Sequence, residues 1–194
     1  NSGNTAISLE YYKKYVENYE LTTSIAQNVG FGFAENGENG EAIEWYDKGL
    51  NIVPNHLELL NNKSIVCWNL NQYSNALECY NKMLQNEPEN LWFLNKKANV
   101  LIKLEKFVEA IEIWNSMQLE TLKENDPPKE MILNNIGWAY VKMGEFENDV
   151  KYFEKGLKYV DDALRINSKE DYIVDSKCHA LNLLHKHKEA AERF

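Results

Sequence analysis

The stretch Glu41-Ala42-Ile43-Glu44-Trp45-Tyr46 decides the reading of this chain, because it returns as Asn75-Ala76-Leu77-Glu78-Cys79-Tyr80 and again as Glu109-Ala110-Ile111-Glu112-Ile113-Trp114. From Ala42 to Ala76 and from Ala76 to Ala110 the interval is 34 residues, and Pro54 and Pro88 keep the same offset. In each copy a small residue and an aromatic stand four apart: Ala42 and Tyr46, Ala76 and Tyr80, Ala110 and Trp114. That spacing puts both on one face of a helix. A small side chain belongs where two helices cross closely, and the aromatic fills the gap between neighbouring elements. Two looser copies follow, Ile136-Gly137-Trp138-Ala139-Tyr140 with Phe146 and Phe153, and Cys178 with Leu181, Leu184, Ala190 and Phe194. A fixed period of this length is the mark of stacked structural repeats.

The pattern resembles the tetratricopeptide repeat, a pair of amphipathic helices with small residues at positions 8 and 20, large ones at 11 and 24, and Pro at 32. With repeats starting at Thr23, Leu57, Leu91, Glu130 and Asp171, position 8 is Gly30, Ser64, Ala98, Gly137 and Cys178. Position 20 is Ala42, Ala76, Ala110, Asp149 and Ala190, and position 24 is Tyr46, Tyr80, Trp114, Phe153 and Phe194. The expected organisation is a leading helix over 5–20 and repeats over 23–56, 57–90, 91–129 and 130–170, with a truncated fifth over 171–194. Repeats three and four lack the closing Pro and span 39 and 41 residues, which predicts longer connections or longer second helices there. Asp149 in place of Ala should weaken the fourth crossing. The resemblance implies an all-α fold, a right-handed α-solenoid of antiparallel helix pairs, with about eleven helices. Residues 5–20 carry Ser8 and Tyr12 in the register of a second helix, and the last repeat stops without a polar capping helix. Together with the missing initial Met, this gives the expectation of a piece of a longer protein.

Composition removes several functions. The 194 residues are 44% hydrophobic and 26% charged, enough for a packed core. Thirty acidic against 21 basic residues give a net charge of −9, which argues against nucleic acid, whose binding draws on excess Lys and Arg. No apolar run approaches the roughly 18 residues of a spanning helix, so no membrane insertion is expected. Three cysteines without metal-ligand spacing read as free thiols, hence a cytoplasmic location. Cys67 and Cys178 fall at packed helix positions. His185 and His187 should sit in the last interhelix turn, and His56 and His179 have no helical partner that suggests a site. Glu35-Asn36-Gly37-Glu38-Asn39-Gly40-Glu41 lacks the spacing of a calcium loop and reads as a turn. Neither a catalytic set nor a metal or cofactor site emerges.

The unusual number is 25 asparagines against 9 glycines and 4 prolines. The resemblance implies that the first helix of each repeat lines a concave groove with its positions 2, 5, 6, 9, 12 and 13. Position 6 is Asn28, Asn62, Lys96, Asn135 and Ser176; position 5 is Gln27, Asn61, Asn95, Asn134 and Asp175; Asn99 is at position 9 of the third repeat. An amide both donates and accepts, so such a column can pair with the N–H and C=O groups of an extended peptide whatever its sequence. Phe31, Ile65, Trp68, Trp92, Trp138 and Tyr172 lie beside it, supplying the aromatic surface typical of binding hot spots. The site predicted for a protein or peptide partner is therefore Asn28, Asn61, Asn62, Asn95, Lys96, Asn99, Asn134 and Asn135 with Trp68, Trp92 and Trp138. The family's carboxylate clamp is not matched: its places hold Gln27, Phe31, Asn62, Trp92 and Lys96, of which Asn62 fits and Lys96 fits in charge. Lys96, Lys103 and Lys142 could still receive an acidic side chain. The reading is a non-enzymatic interaction scaffold; the alternatives are a self-assembling array and the regulatory region of a larger enzyme.

Overall fold

The computed structural model describes Lys14 and residues 20–192, with side chains as far as His185. The leading helix expected over 5–20, apart from the helical Lys14, and the side chains of Ala190 and Phe194 lie outside the described residues. Among those described every regular element is helical, and they form two compact units that divide after Asn90. The first holds α1 (Thr23–Glu35), α2 (Asn39–Ile52), α3 (Leu57–Asn69) and α4 (Tyr73–Asn86); the second holds α5 (Leu91–Lys103), α6 (Phe107–Ser116), α7 (Lys129–Glu147), α8 (Val150–Ile166) and α9 (Asp171–Glu192). Helices pair as α1 with α2, α3 with α4, α5 with α6 and α7 with α8; α3 also packs on α2, α7 on α6, and α9 on α8.

Each hairpin turns on one left-handed residue. Gly37 (φ 80°), Asn71 (φ 58°) and Glu105 (φ 60°) follow the 34-residue period, although only the first is a residue with no steric cost in that region. The next amide closes each turn by reaching back five residues: Glu38 N–H to the Phe33 carbonyl (2.9 Å), Gln72 to Cys67 (2.8 Å) and Lys106 to Leu101 (2.9 Å). This bond satisfies a carbonyl that the helix end would otherwise leave without a partner. Helix starts are secured locally: Thr22 accepts from Ile25 N–H (3.3 Å), His56 Nδ1 from Leu59 N–H (3.4 Å) and Asp149 from Lys151 N–H (3.0 Å).

Inside each pair the small residues mark the closest approach. Ala42, Ala76, Ala98 and Ala110 have no solvent exposure. A Cβ on Gly30 would lie 2.5 Å from the Tyr46 ring, so the aromatic of the second helix rests on a position of the first that tolerates almost no side chain. In the first unit Val29, Phe33, Trp45, Tyr46, Leu59 and Val66 form one core with Ala42.

The fourth pair keeps this crossing but moves it. Ala98 precedes Ala110 by 12 residues, whereas the contact of Gly137 is with Gly156, 19 residues on. The difference of 7 is also the excess of the 41-residue interval over 34. It divides into 4 residues before the left-handed Asn148 (φ 54°) and 3 after it, about one helical turn in each arm. The extra length therefore lies in α7 and α8, which have 19 and 17 residues, and not in a connection, since only 167–170 join α8 to α9. In the third interval it lies in the segment 117–128 between α6 and α7. The expectation for Asp149 is corrected accordingly: it caps α8 instead of occupying the crossing, and hydrogen bonds from the Lys151 side chain and backbone hold its carboxyl below the usual carboxylate range.

Two further expectations are overturned in α9. His185 and His187 lie within one continuous helix, Asp171–Glu192, with no interhelix turn between them and Cys178. Cys178 is exposed, not packed. Ile173 and Ala180 are fully buried, with Ile173 in the core of Leu133, Val160 and Ala163, and Ala180 in that of Val141 and Phe153. The counterparts of the buried Leu60, Ser64 and Cys67 are Val174, Cys178 and Leu181, and all three are exposed. That face of α9 has no second helix against it among the described residues.

A side chain at residue 156 would meet the Gly137 carbonyl at 2.7 Å and Val141 Cγ2 at 2.8 Å, one of them backbone that cannot yield cheaply. Gly156→Val should cost about 1–3 kcal/mol or more in urea unfolding, whereas Gly40→Ala, with nothing within 4 Å, should be neutral or stabilising. Equal midpoints for the two variants would contradict the crossing. Burial pushes the Cys79 thiol up to about 12 and raises that of Cys67. A thiol reagent near pH 8, below the ordinary cysteine range, should modify Cys178 in the folded chain and spare the other two until denaturant is added; prompt labelling of Cys79 would contradict this.

Candidate functional site

The predicted asparagines do not share one fate. In the first unit Asn28 is exposed while Asn61 and Asn62 are half-buried. They stand on the touching helices α1 and α3, next to Phe31 (53% exposed) and Ile65 (48% exposed). Trp68 is half-buried and meets the edge of Tyr73 at 5.4 Å between ring centroids. This is a largely solvent-facing surface with apolar and amide groups side by side. A second cleft of this unit, about 440 Å³, contains Lys63 and Lys82, which are neutralised by Asp47 at 2.5 Å and Glu78 at 2.7 Å.

In the second unit Asn95 is removed from the predicted site. It is 1% exposed, and its Oδ1 accepts from Trp114 Nε1 (2.8 Å) and from Asn135 Nδ2 (3.1 Å). Its own amide nitrogen meets Met131 Sδ at 3.8 Å. Trp114 is fully buried, and an indole N–H there requires an acceptor. The third aromatic of the period is Trp where the first two are Tyr, so Asn95 serves the core. Trp92 is 40% exposed, with its Nε1 donating to the Asn125 carbonyl (2.8 Å), which fastens the segment 117–128 to α5. Lys96 is exposed and Asn99 half-buried on the same helix. Lys142, read as a receiver of acidic side chains, is bound to Glu145 at 2.5 Å.

Asn134, Asn135 and Trp138 come together with residues of α9. They line an open cleft of about 520 Å³ whose other wall is Tyr172, Asp175, Ser176 and His179. The spacing of each set follows one helix face, and α7 and α9 touch directly. Two polar atoms here are buried without hydrogen-bond partners, Asn134 Oδ1 and His179 Nε2. Asn134 is 5% exposed, so its oxygen has little water to compensate it. An unpaired buried acceptor costs about 1–3 kcal/mol, and a ligand donor would recover much of that. His179 Nε2 stands 3.6 Å from Glu145, beyond hydrogen-bond reach, and its ring lies 5.1 Å from that of Trp138. Ser176 is occupied internally, donating to the Tyr172 carbonyl (2.9 Å).

Sequence reasoning found the α7 half of this cleft and the register of Tyr172, Asp175 and Ser176, but missed His179. The signal was available: His179 is four residues after Asp175 and seven after Tyr172, one stripe of a single helix. The expected interhelix turn after α9's first half obscured how regular that stripe is. Among the described residues no group of three or more His, Cys, Asp or Glu side chains could hold a metal ion, and no helix is long and apolar enough to cross a membrane.

Replacing Asn95 by Leu should separate core from site. It strands Trp114 Nε1 in the interior and should lower stability by about 1–3 kcal/mol. Urea unfolding measures this, and an unchanged midpoint would show that Asn95 is not serving the core.

Comparison with known proteins agrees with the helix pairs. The sequence pattern of the tetratricopeptide repeat matches residues 57–90 and 132–159. No curated protein matches the chain. Among solved structures, MamA 41-end from Desulfovibrio magneticus RS-1 is similar with a TM-score of 0.62 and 18% identity, over 88% of this chain and 96% of that one. A tetratricopeptide repeat protein from Parabacteroides merdae gives 0.58 and 16%, over 92% and 78%, and PilF of Pseudomonas aeruginosa 0.59 and 19%, over 86% and 69%. At these identities the likeness is one of fold. With the 34-residue period, the left-handed turns and the small-residue crossings, it gives this chain the fold of the tetratricopeptide repeat, a module that in general serves protein–protein interaction.

Proposed function

We propose that the chain binds an extended peptide or partner segment on the faces of its first helices, with the cleft between α7 and α9 as the principal contact. The observation that carries this reading is the buried, unpartnered Oδ1 of Asn134 in the wall of that cleft. A peptide N–H is the donor it lacks. Asn135 supplies a second amide whose nitrogen is already held toward Asn95, and Trp138 and Tyr172 supply flat apolar surface for side chains. In the first unit Asn28, Asn61 and Asn62, with Phe31, Ile65 and Trp68, form a second and shallower contact surface. Lys96, Asn99 and Trp92 extend the one in the second unit.

Fluorescence titration of the chain with labelled peptides selected from a random-sequence array tests this. Asn134→Ala and Trp138→Ala should each weaken a selected peptide by about 3–10-fold, the range of one hydrogen bond or ring contact, with helicity by circular dichroism unchanged. Asn95→Leu should act through stability only. Affinity untouched by both cleft substitutions would overturn the reading.

Self-association is a second reading, favoured by one observation: Val174 and Leu181 on α9 are 41% and 45% exposed at positions whose counterparts in the second repeat, Leu60 and Cys67, are buried. Light scattering should then give a mass that rises with concentration and returns to the monomer value in Leu181→Glu. A monomer at every concentration would exclude it.

A further inference from the structure

Whether the cleft merely holds a backbone or also selects a side chain is decided by which hydrogen-bonding groups it leaves open, and those are acceptors. Asn134 Oδ1 is buried and unpartnered, whereas His179 Nε2, also without a hydrogen bond, faces the Glu145 carboxylate at 3.6 Å. Asp175 is exposed on the same wall, and its carboxylate makes no hydrogen bond or ion pair among the described residues. The polar donor beside them, the Ser176 hydroxyl, is already spent on the Tyr172 carbonyl.

The carboxylates on the α9 side of the cleft bring negative charge. Glu130 and Glu170 act on the Tyr172 hydroxyl, whose ionisation is pushed up by burial first and by these two carboxylates next. The nearby cation Lys142 is neutralised by Glu145 at 2.5 Å, and Lys177 by Asp161 at 2.7 Å. The rings are aromatic faces suited to a cation: Lys142 Nζ already stands 4.9 Å from the Trp138 centroid. A neutral amide would satisfy one acceptor and leave the field unused, and a carboxylate would meet acceptors and negative charge together.

We propose that this cleft is a subsite for an arginine side chain of the bound partner. A guanidinium is planar and can stack on Trp138 or Tyr172, while its five donors match Asn134 Oδ1 and the Asp175 carboxylate. Lysine matches in charge but offers no plane to stack and a narrower spread of donors. The inference rests on the peptide-binding reading above and adds to it the chemistry of one side chain.

The test uses the full chain and three nine-residue peptides that differ only at the central residue: arginine, its neutral near-isostere citrulline, or glutamate. The arginine peptide should bind at least about tenfold tighter than the citrulline one, a difference of about 1.4 kcal/mol, and the glutamate peptide weakest. Asp175→Asn should shrink the arginine-to-citrulline ratio to about threefold or less, because the arginine peptide loses an ion pair and the citrulline peptide at most a neutral hydrogen bond. Asp175 is exposed, so this variant should fold, and circular dichroism checks that it does. Equal binding of arginine and citrulline, both weakened by Trp138→Ala, would overturn the arginine subsite and leave the peptide-binding reading standing. Tighter binding of glutamate than arginine would overturn the subsite as well. Absence of binding by all three would overturn both.

Discussion

The close crossing of two helices at small residues is the constraint on which the rest of this structure depends. Backbones approach closely only where a side chain is absent or reduced to a methyl group, so the places of Gly30, Ala42, Ala98, Ala110, Gly137 and Gly156 determine how each pair packs. Once α7 and α8 meet at Gly137 and Gly156, the direction of every other side chain on α7 follows from helical geometry. The Ile132, Ile136 and Ala139 side chains enter the core, while Asn135 and Trp138 stay partly accessible and turn toward α9. The cleft is thus a by-product of core packing: its walls are what two neighbouring first helices leave over after burying their apolar stripes.

The amides show how burial separates like residues into unlike roles. Asn95 and Asn134 occupy the same repeat position, and both are almost fully enclosed. Asn95 has Trp114 and Asn135 as donors, so its oxygen is satisfied and its contribution is to stability. Behind Asn134 the pair of helices crosses at Gly156 and Val160 instead of an aromatic, no indole is present to donate, and the oxygen is left without a partner in the cleft wall. The difference between an amide whose acceptor is filled and one whose acceptor is open is therefore set by what the second helix places behind it.

Much of the fold could be read from the chain because its signals are local and periodic. The recurrence of Ala42-Tyr46, Ala76-Tyr80 and Ala110-Trp114 needs only helix geometry to become three helix pairs, and the turns at Gly37, Asn71 and Glu105 keep the same period. The fourth pair was harder: a fixed frame places Asp149 at the crossing, and nothing adjacent in sequence says that one turn has been added to each arm. Gly156 carries the signal, but a glycine within a helix has meaning only once its partner, Gly137, is known. The same limit applies to the cleft, since Asn134 and His179 are 45 residues apart and meet only because α7 and α9 pack side by side.

By itself, then, the sequence determined the period, the helix pairing, the acidic balance and the register that puts amides and aromatics on the first helices, because each depends on spacing along a single helix or between adjacent ones. The tertiary structure alone decided which of those amides are spent and which are open, that His179 joins the cleft, that Cys178 faces solvent, and that Asp149 caps a helix instead of filling a crossing. Those outcomes depend on what each side chain meets from another helix, and hydrogen-bond satisfaction and burial are properties of that meeting and not of the chain's order.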